Sequence, residues 1–255
     1  MGENKRISFM NNSGENMIFA GICAGGQGTR FKTETNAETP KQFLLLDGKP
    51  IISYSVDSFL RCEEIEKVFV AVSEDYIDHC GGLFSDPRVK IVKGGNTRSE
   101  TVALLVGECE KYSGTDSSED ILATHDAARP FVTVKAIRRA VEAAKKYGAS
   151  GTALNATDTV LQCQNGFVCA APPRSEMYLA QTPQCFKIGL FNDVWNKLTD
   201  SEKAEATDVC GMFCRAGVKV RIVEGDRECF KITVREDMDR AEKYLASISG
   251  CSRFP

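Results

Sequence analysis

Short apolar runs alternate with amphipathic segments over the first 156 residues of the chain. Residues 17–23 form an apolar run that ends at glycines, which predicts a buried strand. Val102, Leu105, Val106 and Cys109 follow the spacing of a single helix face. The same pattern predicts further strands at 68–72, 89–92, 121–123 and 150–156. It predicts further helices at 51–60 and 76–84, and one that Thr133 caps and Gly148 ends.

Strands that alternate with helices of this length indicate βαβ units and a mainly parallel sheet. In such sheets ligands bind beyond the carboxyl ends of the strands. We expect one Rossmann-like α/β domain over residues 16–250, preceded by a loose polar leader at 1–15.

Residues 157–175 interrupt this alternation. Two β-like segments, 159–162 and 167–170, flank Asn165-Gly166, which is a strong hairpin signal. We predict a projecting β-arm, which either pairs subunits or is a plain surface ribbon. Beyond it we expect a loop at 181–184, helices near 186–197 and 205–215, a strand at 218–223 and a helix at 236–247.

The charge and the cysteine content exclude several classes of protein. The 255 residues include 32 basic and 35 acidic ones, a net charge of −3, without the basic face that nucleic-acid binding requires. No apolar run is long enough to span a bilayer, and the N-terminus has no signal-peptide pattern. Eleven cysteines without a CxxC motif indicate reduced thiols in a cytoplasmic protein.

The first strand leads into a glycine-rich loop, Ala24-Gly25-Gly26-Gln27-Gly28-Thr29-Arg30. Such loops let backbone N–H groups approach an anion. The loop is not a P-loop, because no GKS or GKT follows, and the dinucleotide pattern fails at Phe31. Arg30 and Lys41 place two cations beside the glycines, as phosphate binding requires. The alternative is a tight turn with solvated charges.

Four further segments carry candidate chemistry. Gly94-Gly95-Asn96-Thr97-Arg98 follows a strand, and Thr101 would face the same cleft. Asp126 lies at the tip of another strand, where it could bind a metal or a hydroxyl while Arg129 holds it in place. The alternative is that Asp126 caps a helix or forms a structural ion pair. Thr207-Asp208 suggests a helix N-cap or a ligand contact. Lys231 lies in an apolar stretch and either snorkels or points into a cleft.

Nine short motifs occur in order between Met17 and about Leu245: AGGQGTR, PKQF, GGNTR, HDAARPFVT, DTV, AQTPQCF, TDVC, EGD and FKIT. Together they resemble the CTP-dependent cytidylyltransferases that act on polyol phosphates, which include the methylerythritol-phosphate and ribitol-5-phosphate enzymes. GGxGTR alone also occurs in sugar-1-phosphate nucleotidylyltransferases, whereas HDAARP together with QTPQ is far more specific.

The resemblance implies roles for the residues that match the motifs. The nucleotide would lie on Ala24, Gly25, Gly26 and Gly28, with a cytidine pocket at Gly95, Arg98, Thr101 and Ala127. The catalytic cations would be Arg30, Lys41 and Lys231. Asp126 would lie near the acceptor and bind Mg²⁺, Thr207 would contact the acceptor phosphate, and Thr159 and Arg174 would reach from the arm into a neighbouring subunit's site.

The implied activity is transfer of CMP from CTP to a polyol phosphate by a homodimer paired through the arm, with release of pyrophosphate. The segments LTDSEKAEATDVCGMF and PRSEMYLAQTPQCF favour ribitol-5-phosphate as the acceptor, and methylerythritol phosphate, an isoprenoid precursor, is the alternative. A sugar-1-phosphate nucleotidylyltransferase and a non-catalytic nucleotide-binding regulator are the rivals. Two features depart from the family pattern: a long loop between Arg30 and Lys41, and Cys229 where Asn is common.

Overall fold

A computed structural model describes residues 16–26, 31, 39–114 and 116–251. Its centre is a sheet of seven strands: β1 Ile18–Cys23, β4 Lys67–Val72, β5 Val89–Lys93, β6 Ile121–Asp126, β7 Ala149–Asn155, β10 Tyr178–Lys187 and β11 Arg221–Glu224. Their order across the sheet is β11-β7-β10-β6-β1-β4-β5. Of these described strands only β10 runs antiparallel to its neighbours, so the prediction of a mainly parallel sheet is confirmed.

The helices follow the predicted alternation closely in the first half of the chain. They are α1 Ile51–Leu60, α2 Ile77–Gly81, α3 Arg98–Ser113, α4 Val134–Tyr147, α5 Ile188–Lys197, α6 Asp200–Glu205, α7 Val209–Arg215 and α8 Arg235–Cys251. Helix α4 has the predicted ends: Thr133 accepts a hydrogen bond from the N–H of Ala136, and Gly148 has a φ of 85°. Two short hairpins, β2 Leu45–Leu46 with β3 Lys49–Pro50 and β8 Gln162–Gln164 with β9 Phe167–Ala170, lie outside the sheet.

The sheet is covered on both faces, because successive side chains of a strand point to opposite sides. In β1, Ala20 and Ile22 belong to the apolar cluster that includes residues of α1 and α4. Phe19 belongs to the cluster that includes residues of α3, α5 and α7. A Cβ atom at Gly21 would lie 2.9 Å from a methyl carbon of Leu105, so the glycine permits α3 to pack closely. No helix in the described part of the chain is long and apolar enough to cross a membrane.

The prediction of a loop at 181–184 is wrong, because these residues form the middle of β10. Pro183 lies where the pairing with β7 shifts between Ala180 and Gln184, and a missing N–H is tolerated at such an irregularity. The polar side chains are buried because each has a partner. Gln181 binds the backbone of Asp226, and Gln184 binds Asp208 and the N–H of Val209.

Other boundaries also differ from the predictions. The helix expected at 76–84 is the shorter α2, Ile77–Gly81, and three further differences have a local cause. The arm hairpin turns at Asn165-Gly166 as expected, but its first strand is Gln162–Gln164 rather than 159–162, since the turn sets the register and a bulge follows at once. The helix expected at 205–215 is divided: α6 ends at Glu205, and Asp208 caps α7 through the N–H of Gly211. The last strand begins at Arg221 instead of 218, where pairing with β7 starts.

Candidate active site

A cavity of about 370 Å³ opens where β1 and β6 end, beside the loop that follows β5. Because these strands are parallel, their carboxyl ends meet at one edge of the sheet, as predicted for a ligand site. The cavity is lined by the following predicted residues: Ala24, Gly25, Gly26, Lys41, Gly95, Arg98, Thr101, Asp126, Ala127 and Lys231. Gly28 and Arg30 lie outside the described residues.

The described start of the glycine-rich loop, Ala24 to Gly26, forms one wall of the cavity. The N–H of Ala24 donates a hydrogen bond to the carbonyl of Ala71 at the end of β4, 2.7 Å away, which fixes the start of the loop. Gly25 and Gly26 follow without side chains, so their backbone is open to a ligand.

The 94–98 segment forms the opposite wall, and it is tightly built. The N–H of Gly95 donates to the Thr101 hydroxyl at 3.0 Å, and that hydroxyl donates to the carbonyl of Thr97 at 2.8 Å. A Cβ atom at Gly95 would lie 2.5 Å from the Cβ of Glu100, so only glycine fits there. Thr97 and Glu100 form a capping box that starts α3 and thereby fixes Arg98 in the first turn.

Asp126 lies on the floor of the cavity among three cations. Arg98 binds its Oδ1 atom, the Nζ of Lys231 lies 2.9 Å from Oδ2, and the Nε of Arg129 lies 3.5 Å from Oδ2. Burial alone would raise the pKa of Asp126, but Arg98, Lys231 and Arg129 outweigh it, and the pKa lies well below its usual range. The carboxylate is therefore ionised at neutral pH. Asp126 forms the ion pairs that the sequence suggested as one alternative, and it also lies in the cleft.

Lys231 reaches Asp126 because its segment is tied to the end of β6. The guanidinium of Arg129 donates to the carbonyl of Cys229 at 2.9 Å, and the N–H of Ile232 donates to the carbonyl of Ala128 at 2.8 Å. The lysine thus points into the cleft, the second of the two alternatives that the sequence left open. Arg129 holds both Asp126 and the lysine segment, a wider role than the sequence predicted.

Behind Asp126, His125 is fully buried in a directional chain of hydrogen bonds. The carbonyl of Arg129 can only accept, so Nε2 of His125 donates to it at 3.1 Å. Nδ1 must then accept from the hydroxyl of Thr182 at 2.8 Å, and Thr182 in turn accepts from the N–H of Asp126. Burial lowers the pKa of His125 to about 4, so the ring is neutral and has a structural role.

Three predicted residues lie outside the cavity. Thr159 and Arg174 are exposed on the arm, where Arg174 donates a hydrogen bond to the carbonyl of Thr157. Thr207 is exposed just before α7, although its neighbours Ala206 and Asp208 line a small depression that shares Arg98 with the cavity.

Other lining residues carry no sequence prediction of a role: Cys23, Gln42, Asn96, Thr97 and Ala128. All of these except Cys23 lie inside one of the nine motifs, and that position was the one signal available in the sequence.

A family model described as IspD, 2-C-methyl-D-erythritol 4-phosphate cytidylyltransferase, matches residues 18–247. The chain belongs to the IspD family.

Three solved structures are similar to this chain over nearly the whole of the region that the family model matches. A 4-diphosphocytidyl-2C-methyl-D-erythritol synthase is 26% identical with a TM-score of 0.73, covering 91% of this chain and 99% of its own.

The cytidylyltransferases of Thermus thermophilus and Francisella tularensis complete this comparison. The first is 26% identical with a TM-score of 0.68 and covers 90% of this chain and 99% of its own. The second is 25% identical with a TM-score of 0.73 and covers 89% of this chain and 99% of its own. As a member of the IspD family the chain is a CTP-dependent cytidylyltransferase, which confirms the resemblance found in the sequence.

Proposed function

We propose that this enzyme transfers CMP from CTP to 2-C-methyl-D-erythritol 4-phosphate, forming 4-diphosphocytidyl-2-C-methyl-D-erythritol and pyrophosphate. The family description and the names of the similar structures support this acceptor, which belongs to isoprenoid precursor synthesis. The acceptor that the sequence favoured, ribitol-5-phosphate, has no such support. The observation that carries the proposal is the single cavity in which Lys41, Lys231 and the glycine-rich loop face the same space.

The chemistry fits what the cavity offers. A phosphate monoester has its second pKa near 6, so its oxygen is already an anion at neutral pH and requires no general base. That oxygen attacks the α-phosphorus of CTP in line, the bond to the β-phosphate oxygen breaks, and pyrophosphate leaves with its electron pair. The protein's task is to position two anions and to stabilise the charge that develops between them. Lys41 and Lys231, with Arg30, are the cations proposed for this task.

The cytidine would lie against the opposite wall. Gly95 has no Cβ, so its backbone packs directly against Glu100 on one side, and its N–H is held by the Thr101 hydroxyl. Arg98 and Ala127 complete the proposed pocket. Small residues and backbone groups suit a planar base better than long flexible side chains.

Mg²⁺ is the proposed metal, and Asp126 is the residue that would hold it. Among the described residues Asp126 is the one carboxylate that lines the cavity, and no group of three metal-binding side chains occurs there. One carboxylate together with substrate phosphates is a common way to bind Mg²⁺. To bind the ion, Asp126 would exchange one of the cations that contact it here, Arg98 on Oδ1 or Lys231 on Oδ2. When bound, the ion would neutralise charge on the triphosphate.

We also assign the arm to subunit pairing. Its apolar side chains are strongly exposed: Phe167 at 79%, Val168 at 58% and Leu161 at 52%. Monomeric proteins rarely leave such residues clustered in water. In a homodimer these residues would be covered, and Thr159 and Arg174 would supply the acceptor contacts that the chain's own cavity does not contain.

The test is turnover of CTP by the purified enzyme with each acceptor in parallel, measured as pyrophosphate release. We expect methylerythritol phosphate to give a kcat/KM at least tenfold above that of ribitol-5-phosphate. Equal or greater turnover with ribitol-5-phosphate would overturn the acceptor assignment. Turnover of glucose-1-phosphate with UTP would overturn the reaction class.

A further inference from the structure

Gln42 is a buried polar side chain at the edge of the cavity, exposed by only 4%. It lies in the short 3-10 turn Lys41–Phe43, directly after the proposed catalytic lysine. A buried amide requires hydrogen-bond partners. The Nε2 atom of Gln42 donates two hydrogen bonds, to the carbonyl of Ala24 at 2.6 Å and to the carbonyl of Gly26 at 3.0 Å.

These two carbonyls lie on either side of Gly25 in the glycine-rich loop. A carbonyl oxygen carries partial negative charge and would repel a phosphate. In a trans peptide the C=O and the N–H point in opposite directions. Because Gln42 draws the carbonyl of Ala24 towards itself, the N–H of Gly25 is turned away from Gln42. Gly25 lines the cavity, so an N–H that Gln42 keeps clear of its own carbonyl contacts would be available to an anionic ligand there.

The turn that carries Gln42 is itself firmly held. Phe43 is buried and stacks on Tyr76 with ring centroids 4.9 Å apart. The N–H of Phe43 donates to the carbonyl of Pro40 at 2.9 Å. The start of the loop is therefore fixed at two points, by Ala71 at the end of β4 and by Gln42.

We propose that Gln42 is a positioning residue that sets the first residues of the glycine-rich loop, Ala24 to Gly26, in the conformation that receives the triphosphate of CTP, an inference that rests on the proposed function. It couples the loop to Lys41, because a single turn carries both the cation and the amide that orients the backbone. Loss of the amide would weaken CTP binding and leave acceptor binding unaffected.

The test compares Gln42→Met with the wild-type enzyme. Methionine has nearly the same length and no donor, so the shape is kept and both hydrogen bonds are lost. We expect the Kd for CTP, measured by calorimetry with Mg²⁺, to rise about tenfold. The KM for CTP should rise in parallel, and the KM for the acceptor should stay within about twofold. Should Gln42→Met fail to fold, Gln42→Asn, whose amide is too short to reach both carbonyls, gives the same comparison.

The control is Ser150→Ala. Ser150 is also buried and donates to a backbone carbonyl, that of Ala140 at 2.5 Å, but it does not line the cavity. This variant should lose stability without a change in the Kd for CTP. An unchanged Kd in Gln42→Met, or an equal rise in Ser150→Ala, overturns the role of Gln42. Failure of the wild-type enzyme to bind CTP would instead overturn the proposed function, so the two failures are distinguishable.

Discussion

The Nζ of Lys231 lies 2.9 Å from Oδ2 of Asp126, although the two residues are far apart in the sequence. The ion pair joins the end of β6 to the segment between β11 and α8, and it places a cation at the floor of the cavity. Arg98 and Arg129 contact the same carboxylate. One acidic residue therefore gathers cations from three parts of the chain around the space proposed for the phosphates.

The first prediction concerns Lys41. Replacement by alanine should lower kcat by about 10²-fold, the effect of losing one preorganised group that stabilises developing charge. Steady-state pyrophosphate release measures this. Lys135→Ala, which removes an exposed lysine of α4, should leave turnover unchanged. Near-normal turnover of a folded Lys41→Ala enzyme would remove Lys41 from the mechanism.

The second prediction concerns Asp126. Asp126→Asn keeps the size of the side chain and removes the charge that holds Lys231 and Arg98. We expect kcat to fall by about 10²-fold or more, and a higher Mg²⁺ concentration to be needed for half-maximal rate. Asp193→Asn, an exposed position on α5, is the control and should resemble the wild type. An unaltered Mg²⁺ requirement in Asp126→Asn would argue against Asp126 as the ligand.

The third prediction uses the buried His125, whose pKa falls from 6.5 to about 4 on folding. Between these pH values the unfolded chain binds a proton that the folded protein does not. The free energy of unfolding therefore declines as the pH drops through this window. Below pH 4, the titration of His125 causes no further decline. The contribution of His125 to the free energy of unfolding should fall by about 2 kcal/mol between pH 7 and pH 5.

Urea unfolding at the two pH values measures this loss, and His125→Gln serves as the reference. Glutamine does not titrate, so the pH dependence of the variant should be shallower by the same amount, whatever its absolute stability. Parallel curves for the two proteins would show that His125 is not held neutral.

The fourth prediction tests whether the arm serves the partner's site. Lys41→Ala and Arg174→Ala should each be nearly inactive. When the two variants are mixed under conditions that exchange subunits, half of the dimers are hybrids, and each hybrid has one site with both residues intact. About a quarter of the wild-type activity should return if subunits pair at random. No recovery, or full activity in a species that light scattering shows to be monomeric, would contradict the shared site.

Much of the fold follows from local patterns. Helix α4 could be placed from its apolar stripe, Thr133 and Gly148, because each of these acts within a few residues. The strand β10 could not, since its polar residues are explained only by partners far away in the sequence. Gln181 looks like a loop residue until the backbone of Asp226 is seen against it.

The site shows the same division. The motifs identified Lys41, Asp126 and Lys231 through the resemblance to the cytidylyltransferases, and of these three Asp126 is the one that ends a strand. Their contacts could not be predicted, because the ion pair between Asp126 and Lys231 depends on how Arg129 ties Cys229 to β6. The role of Gln42 could not be predicted for a similar reason. Its two hydrogen-bond partners are backbone carbonyl groups, and every residue has one whatever its side chain.

The most direct test is a crystal structure of the enzyme with Mg²⁺ and a CTP analogue whose α–β bridge is a methylene group. We predict that the α-phosphate lies within hydrogen-bond distance of the Nζ atoms of both Lys41 and Lys231, with Arg30 on the triphosphate and cytosine against Gly95 and Thr101. A triphosphate bound outside this cavity, or an α-phosphate that neither lysine reaches, would contradict the account.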